Sequence, residues 1–80
     1  MEKQTDVGLV FGEVLRKHRK AAGLSQEELA LDSSLDRTYI SMLERGQRQP
    51  SLQTVLAIAK RLKVPAGELV SQVESLINKR

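Results

Sequence analysis

The stretch that decides the fold is "LSQEELALDSSLDRTYISMLERG", Leu24 to Gly46. Ser25 is followed three residues on by Glu28, an S-x-x-E capping box in which each residue satisfies the other's free backbone N–H. Leu29 and Ala30 form the inner side of the short helix that this box opens. "DSSL", residues 32–35, breaks it, because serine and aspartate side chains compete for backbone hydrogen bonds and favour turns. Asp36 is the next N-cap and Gly46 the next stop. The spacing therefore predicts a second helix from Gln26 to Asp32 and a third from Arg37 to Arg45. Two short helices joined by so brief a turn cross at a steep angle, the geometry of a helix-turn-helix. Leu29, Ala30, Leu35, Ile40 and Leu43 can then share one small core, with Ala30 letting the helices approach.

Outward from this unit, Val10, Phe11, Val14, Leu15 and His18 follow helical spacing and predict a first helix, ended by Gly23. After "QRQP", Ser51 caps a fourth helix with the stripe Leu52, Val55, Leu56, Ile58, Ala59 and Leu62. Val64-Pro65 should end it, since the residue before proline is disfavoured in the helical region. Pro65 can open a fifth helix over 66–80, carrying Leu69, Val73, Leu76 and Ile77. The expectation is an all-α fold, a compact bundle of five short helices in one domain over 1–80, with residues 1–6 frayed.

Composition narrows the function. A chain of 80 residues buries only about 60% of its unfolded surface, so its core is small. It has no cysteine and a single histidine, which leaves neither a disulfide framework nor a thiolate metal site. Apolar runs of a few residues fall far short of the ~20 that span a bilayer, and "MEKQTDVG" lacks a signal-peptide centre. A cytoplasmic protein is expected, with no membrane partner. The net charge of +3 is modest; the dense basic stretches are "RKHRK" (16–20) and "RGQRQ" (45–49). No nucleophile, metal cluster or phosphate loop stands out, so neither catalysis, a metal nor a cofactor is expected.

Taken together, "LSQEELA…LDRTYISMLERG…PSLQTVLAIAKRL" resembles the Cro/cI-type (XRE) helix-turn-helix family of small prokaryotic DNA-binding regulators, over about residues 9–70. Leu24-Ser25-Gln26, Ala30, Ile40, Leu43, Glu44-Arg45-Gly46 and Pro50 carry the likeness. Its length and "LDRTYIS" are also similar to the controller proteins of restriction–modification systems. The resemblance implies a third helix that enters the major groove with its N-terminal residues at the base edges.

The residue chemistry agrees. Arg37 has the planar fork that pairs with guanine O6 and N7, worth about 1–3 kcal/mol of discrimination. Thr38 offers a hydroxyl or a methyl, and Ser41 and Met42 lie one turn further on the same face. These four are the expected base readers. Gln26 can donate to a phosphate from the start of the second helix, where free N–H groups favour an anion. Arg45, Gln47 and Arg48 can grip the backbone at the other edge of the groove, setting orientation without reading sequence. Tyr39, one of two aromatics beside Phe11, can pack its ring locally while its hydroxyl reaches a phosphate.

Plainer readings stand beside these. Arg37 could pair with Asp36 or Glu44, Tyr39 could be a core aromatic, Gln26 could only brace its helix, and Met42 could fill a gap. The run at 16–20 reads better as a solvated face than as a DNA contact, and His18 as a boundary residue. A helical protein-interaction module on the same scaffold, without DNA reading, is the competing function.

A single recognition helix reads too few base pairs to select a genomic site, so a two-fold homodimer is expected on a pseudo-palindromic operator. The apolar stripe Leu69, Val73, Leu76 and Ile77, with Val64 and Val70 nearby, is the expected contact; the plainer reading is that the fifth helix simply closes the core of one subunit. The resemblance to phage repressors adds RNA polymerase as a partner of the second helix. There Glu27 matches an acidic contact position, whereas Leu31 stands where a second acid would be, leaving activation and repression both open.

Overall fold

The structure is a computed structural model that describes residues 4–31 and 33–79. The chain forms α1 (Gln4–Ala21), α2 (Gln26–Leu31), α3 (Arg37–Glu44), α4 (Leu52–Leu62) and α5 (Ala66–Lys79), with no strand among the described residues. Local capping chemistry accounts for the starts. Ser25 N–H donates to Glu28 Oε1 at 2.8 Å and Glu28 N–H to Ser25 Oγ at 3.0 Å, the expected reciprocal box. Asp36 Oδ1 accepts from Tyr39 N–H at 2.7 Å, and Ser51 Oγ from Thr54 N–H at 3.1 Å.

Three helices stop in the same way. The N–H groups of Leu24, Gln47 and Val64 reach back five residues to the carbonyls of Arg19, Met42 and Ala59. The residue before each, Gly23, Gly46 and Lys63, takes the left-handed conformation at φ 73°, 75° and 62°. These are Schellman closures, which satisfy carbonyls the helix itself leaves open. The third corrects the expected stop of α4. Lys63 ends it ahead of Val64-Pro65, although a lysine is strained where two glycines serve elsewhere.

Other boundaries shift by small amounts. The backbone is helical from Gln4, and residues 1–3 of the segment expected to fray lie outside the described residues. α3 gives way to Arg45 as its C-cap, one residue early. Asp32, the expected end of α2, lies outside the described residues, as does Arg80 at the expected end of α5.

The core draws on every helix: Val10, Phe11, Val14 and Leu15; Leu29 and Ala30; Ile40 and Leu43; Val55, Ile58, Ala59 and Leu62; and Leu69. Leu35 and Tyr39 pack against it as partly buried neighbours. Two residues of the expected α4 stripe are outside it, Leu52 at 71% and Leu56 at 53% exposure. Six apolar positions cover more of the helix circumference than one core can bury, and this pair falls on the far edge.

α1 lies against the C-terminal end of α3 with almost no space between. A methyl group at Gly12 would stand 2.5 Å from the Glu44 carbonyl oxygen and 2.6 Å from that of Leu43. One at Gly46 would stand 2.5 Å from Leu9 Cδ2, besides requiring a left-handed backbone. The two glycines let α1 brace the third helix along its backbone.

Candidate nucleic-acid interface

The faces of α3 divide by helical geometry. Ile40, Leu43 and Glu44 are buried; Arg37 and Thr38 are exposed; Ser41 and Met42, one turn on, are half-buried. Arg37 and Thr38 thus stand at the solvent-facing start of the helix, with Ser41 and Met42 beside them, where the core begins to take up surface. Arg37 makes no ion pair with Asp36 or Glu44: Asp36 is committed to the Tyr39 N–H, and Glu44 lies on the other side of the helix.

Glu44 is the structural centre of the unit. Its side chain is fully buried and meets Arg19 twice, Nε to Oε2 at 2.6 Å and an Nη to Oε1 at 3.1 Å. Gln26 Nε2 donates to the same Oε1 at 2.9 Å, and Arg16 Nε reaches it at 3.4 Å. The other Nη of Arg19 donates to the Leu24 carbonyl at 2.8 Å. Burial alone would push the Glu44 carboxyl up. The donors from Arg19 and Gln26, with the Arg19 charge and Arg16, outweigh it and hold the carboxyl below its ordinary value. One carboxylate so ties α1, α2 and the end of α3 together and fixes the angle at which the third helix is presented.

This centre escaped the sequence reading, because Arg19 and Glu44 are 25 residues apart. The usable signal was that Glu44 falls one turn after the inward Ile40. The basic stretch at 16–20 is accordingly divided. Arg19 and Arg16 serve the clasp, His18 is half-buried with Nε2 3.1 Å from Gln72 Oε1, and Lys17 and Lys20 are exposed.

The expected phosphate-binding residues flank α3. Arg45, Gln47 and Arg48 are exposed in the loop after it. Tyr39 packs its ring against the core edge, and among the described residues its hydroxyl takes no hydrogen bond. Gln26 is half-buried and already spends one amide hydrogen on Glu44, so it braces the unit as well as facing outward. At the start of α2, the capping box takes up the Glu28 N–H, and Glu27 and Glu28 are themselves acidic. The free N–H groups expected to attract a phosphate there are therefore fewer, and their field is opposed.

The expected dimer contact needs a correction at one residue. Leu69 has 0% exposure and belongs to the core of its own subunit, so no partner can touch it. Val73, Leu76 and Ile77 are partly buried against that core. The large apolar side chains left exposed on α4 and α5 are Leu52, Leu56 and Val70. Val70 borders a shallow groove of about 200 Å³ with Val7, Phe11, Pro50, Val55 and Val73. Among the described residues no helix is long and apolar enough to cross a membrane.

A family model described as "Helix-turn-helix" matches residues 15–69, from the middle of α1 to the first turns of α5. The chain is 41% identical over 70 residues to the control protein C.MunI of a Mycoplasma species, covering 86% of this chain and 95% of that one. It is 41% identical over 66 residues to the control protein C.BamHI of Bacillus amyloliquefaciens, covering 81% and 82%. The crystal structure of the restriction-modification controller protein C.AhdI from Aeromonas hydrophila matches with a TM-score of 0.74 at 49% identity, covering 76% of this chain and 92% of that one. Five helices, an outward-facing third helix and these likenesses converge: the chain belongs to the XRE-type helix-turn-helix family of DNA-binding transcription regulators.

Proposed function

We propose that the protein acts in the cytoplasm as a homodimeric, sequence-specific regulator of a restriction–modification operon. Arg37 and Thr38 read bases in the major groove, with Ser41 and Met42 completing the face. Tyr39, Arg45, Gln47, Arg48 and the remaining donor of Gln26 position the phosphates. The observation that carries this reading is the contrast between two sets of arginines. Arg19 and Arg16 are committed to Glu44, whereas Arg37, at the exposed start of a helix clasped at its other end, makes no ion pair among the described residues. The control and controller proteins to which the chain is similar support the choice of operon.

Dimerisation follows from what the site must do. Leu52 and Leu56 stand one turn apart on α4, and with Val70 they offer apolar surface that a second copy would cover across a two-fold axis. The two recognition helices would then serve half-sites about 34 Å apart, one DNA turn. Glu27 is exposed on α2 and, with Leu31 at 73% exposure, forms the surface that polymerase would meet in an activating complex. A gel shift on DNA upstream of the protein's own operon tests the reading. Retention of one discrete complex against excess unrelated DNA is expected. Equal loss to any competitor would leave a general DNA binder, and no complex at all a protein-interaction module.

A further inference from the structure

Glu44 Oε1 accepts from Gln26 Nε2 at 2.9 Å, from an Nη of Arg19 at 3.1 Å and from Arg16 Nε at 3.4 Å. A carboxylate oxygen offers about two lone-pair sites. The two shorter contacts fill them, and Arg16 is the surplus donor. Arg19, with its side chain 11% exposed, already neutralises the carboxylate. Arg16, with its side chain 51% exposed, therefore adds a second positive charge to a single negative one. Its guanidinium carries a planar fork of donors and gives Glu44 the N–H on Nε, the one nearest its stem.

The place of Arg16 in the fold is set by α1. Gly8, Gly12 and Arg16 recur every four residues and share one face of that helix. A methyl group at Gly8 would stand 3.4 Å from the Gly46 carbonyl oxygen and 3.9 Å from that of Arg48, and Gly12 meets the carbonyls at the end of α3. This face thus runs along the loop that carries Gln47 and Arg48 and ends, at Arg16, beside Gln26. Gln26 by itself makes a poor phosphate site. Its amide is neutral, and the acids Glu27 and Glu28 follow it directly on α2. A phosphate held there calls for a cation, and Arg19 is enclosed. Arg16 is exposed and shares the acceptor of Gln26.

We infer that Arg16 is a further DNA contact: its guanidinium binds the backbone phosphate that Gln26 approaches, and Glu44 is the positioning residue that holds the two donors side by side. This rests on the DNA-binding function proposed for the chain. An arginine fork donates to two phosphate oxygens in parallel, which fixes register without reading bases. The buried carboxylate thereby serves both the rear of α3 and the phosphate beside it. Glu13, one turn before Arg16 and exposed, is the acid that competes for the fork. A fork held there would leave DNA affinity indifferent to Arg16.

The test is DNA binding by fluorescence anisotropy across a salt series, with DNA from upstream of the protein's own operon and with an unrelated duplex, for wild type, Arg16→Ala and Lys17→Ala. Arg16→Ala should bind both DNAs about three- to tenfold more weakly and lower the salt slope by about one unit. Lys17→Ala removes the same charge from the next position, about 100° round α1, and should leave the slope unchanged. Arg16→Ala should melt close to wild type, because its contact with Glu44 is long and half-exposed, so weaker binding is not misfolding. Unchanged affinity and slope in Arg16→Ala, an equal loss in Lys17→Ala, or a loss confined to the operator would each overturn the inference and leave the DNA-binding function intact. The last of these would mean that Arg16 acts only through the angle of α3. A wild type that binds neither DNA would overturn that function and the inference with it.

Discussion

Arg19 closes on Glu44 at two points, 2.6 and 3.1 Å, inside a contact where the carboxylate side chain is wholly removed from water. Gln26 holds the same carboxylate from the adjacent helix. Three helices thus meet on one charge, and α3 is held in place by its rear end while its front end is left open.

Breaking that contact from one side should be costly. Arg19→Ala leaves a buried carboxylate without its main partner, and Glu44→Gln leaves a nearly buried guanidinium; each should lose about 3–5 kcal/mol. Arg16→Ala, on a half-exposed residue at 3.4 Å, should lose no more than about 1 kcal/mol. Urea unfolding at neutral pH separates the two cases.

The same contact predicts an acid dependence. Glu44 is held below its ordinary value in the folded chain, so between the two values the unfolded chain binds a proton the folded chain does not. Its contribution is complete above the unfolded value of about 4.3 and is lost as pH falls through the lower folded one. Wild type should therefore lose stability more steeply than Glu44→Gln across this acid range, as followed by thermal melting. Parallel curves would remove Glu44 as the titrating group.

Two backbone positions should respond in opposite directions. Gly12→Ala drives a methyl into the carbonyls of Leu43 and Glu44 and should destabilise by about 1–3 kcal/mol or more. Lys63→Gly relieves a left-handed residue and should stabilise by up to about 1 kcal/mol. Both are read from melting temperatures.

The dimer surface is tested by contrast. Leu52→Glu and Leu56→Glu alter exposed positions and should yield folded monomers by sedimentation. Leu69→Glu should unfold the chain, because its side chain is in the core. A wild type that sediments as a monomer on its own and on its operator would remove the dimer.

What the sequence made legible was local. Ser25 with Glu28, Asp36 and Ser51 each act within three residues, so their caps could be read from spacing alone. Gly23 and Gly46 announce their turns through the one backbone region that favours glycine. Lys63 adopts that region without the residue that advertises it, so the sequence points to Pro65 instead. Periodicity marks α4 as amphipathic but does not fix how wide its buried stripe is, so Leu52 and Leu56 read as inward although both are exposed. Leu69 reads as a partner contact in sequence because a stripe on the last helix looks the same whether it meets its own core or another copy. The outward face of α3 was legible, whereas the Arg19–Glu44 contact that sets its angle depends on how distant segments meet.

Base reading by Arg37 is the central claim, and its direct test is the affinity of wild type and Arg37→Ala for operator and unrelated DNA across a salt series. The variant should lose about 1–3 kcal/mol on the operator and relax preference at one base position, with its affinity for unrelated DNA little changed. Arg48→Ala should instead weaken both DNAs and lower the salt slope by about one unit. An Arg37→Ala protein that loses the same affinity on every sequence would contradict the account, since Arg37 would then touch only phosphate.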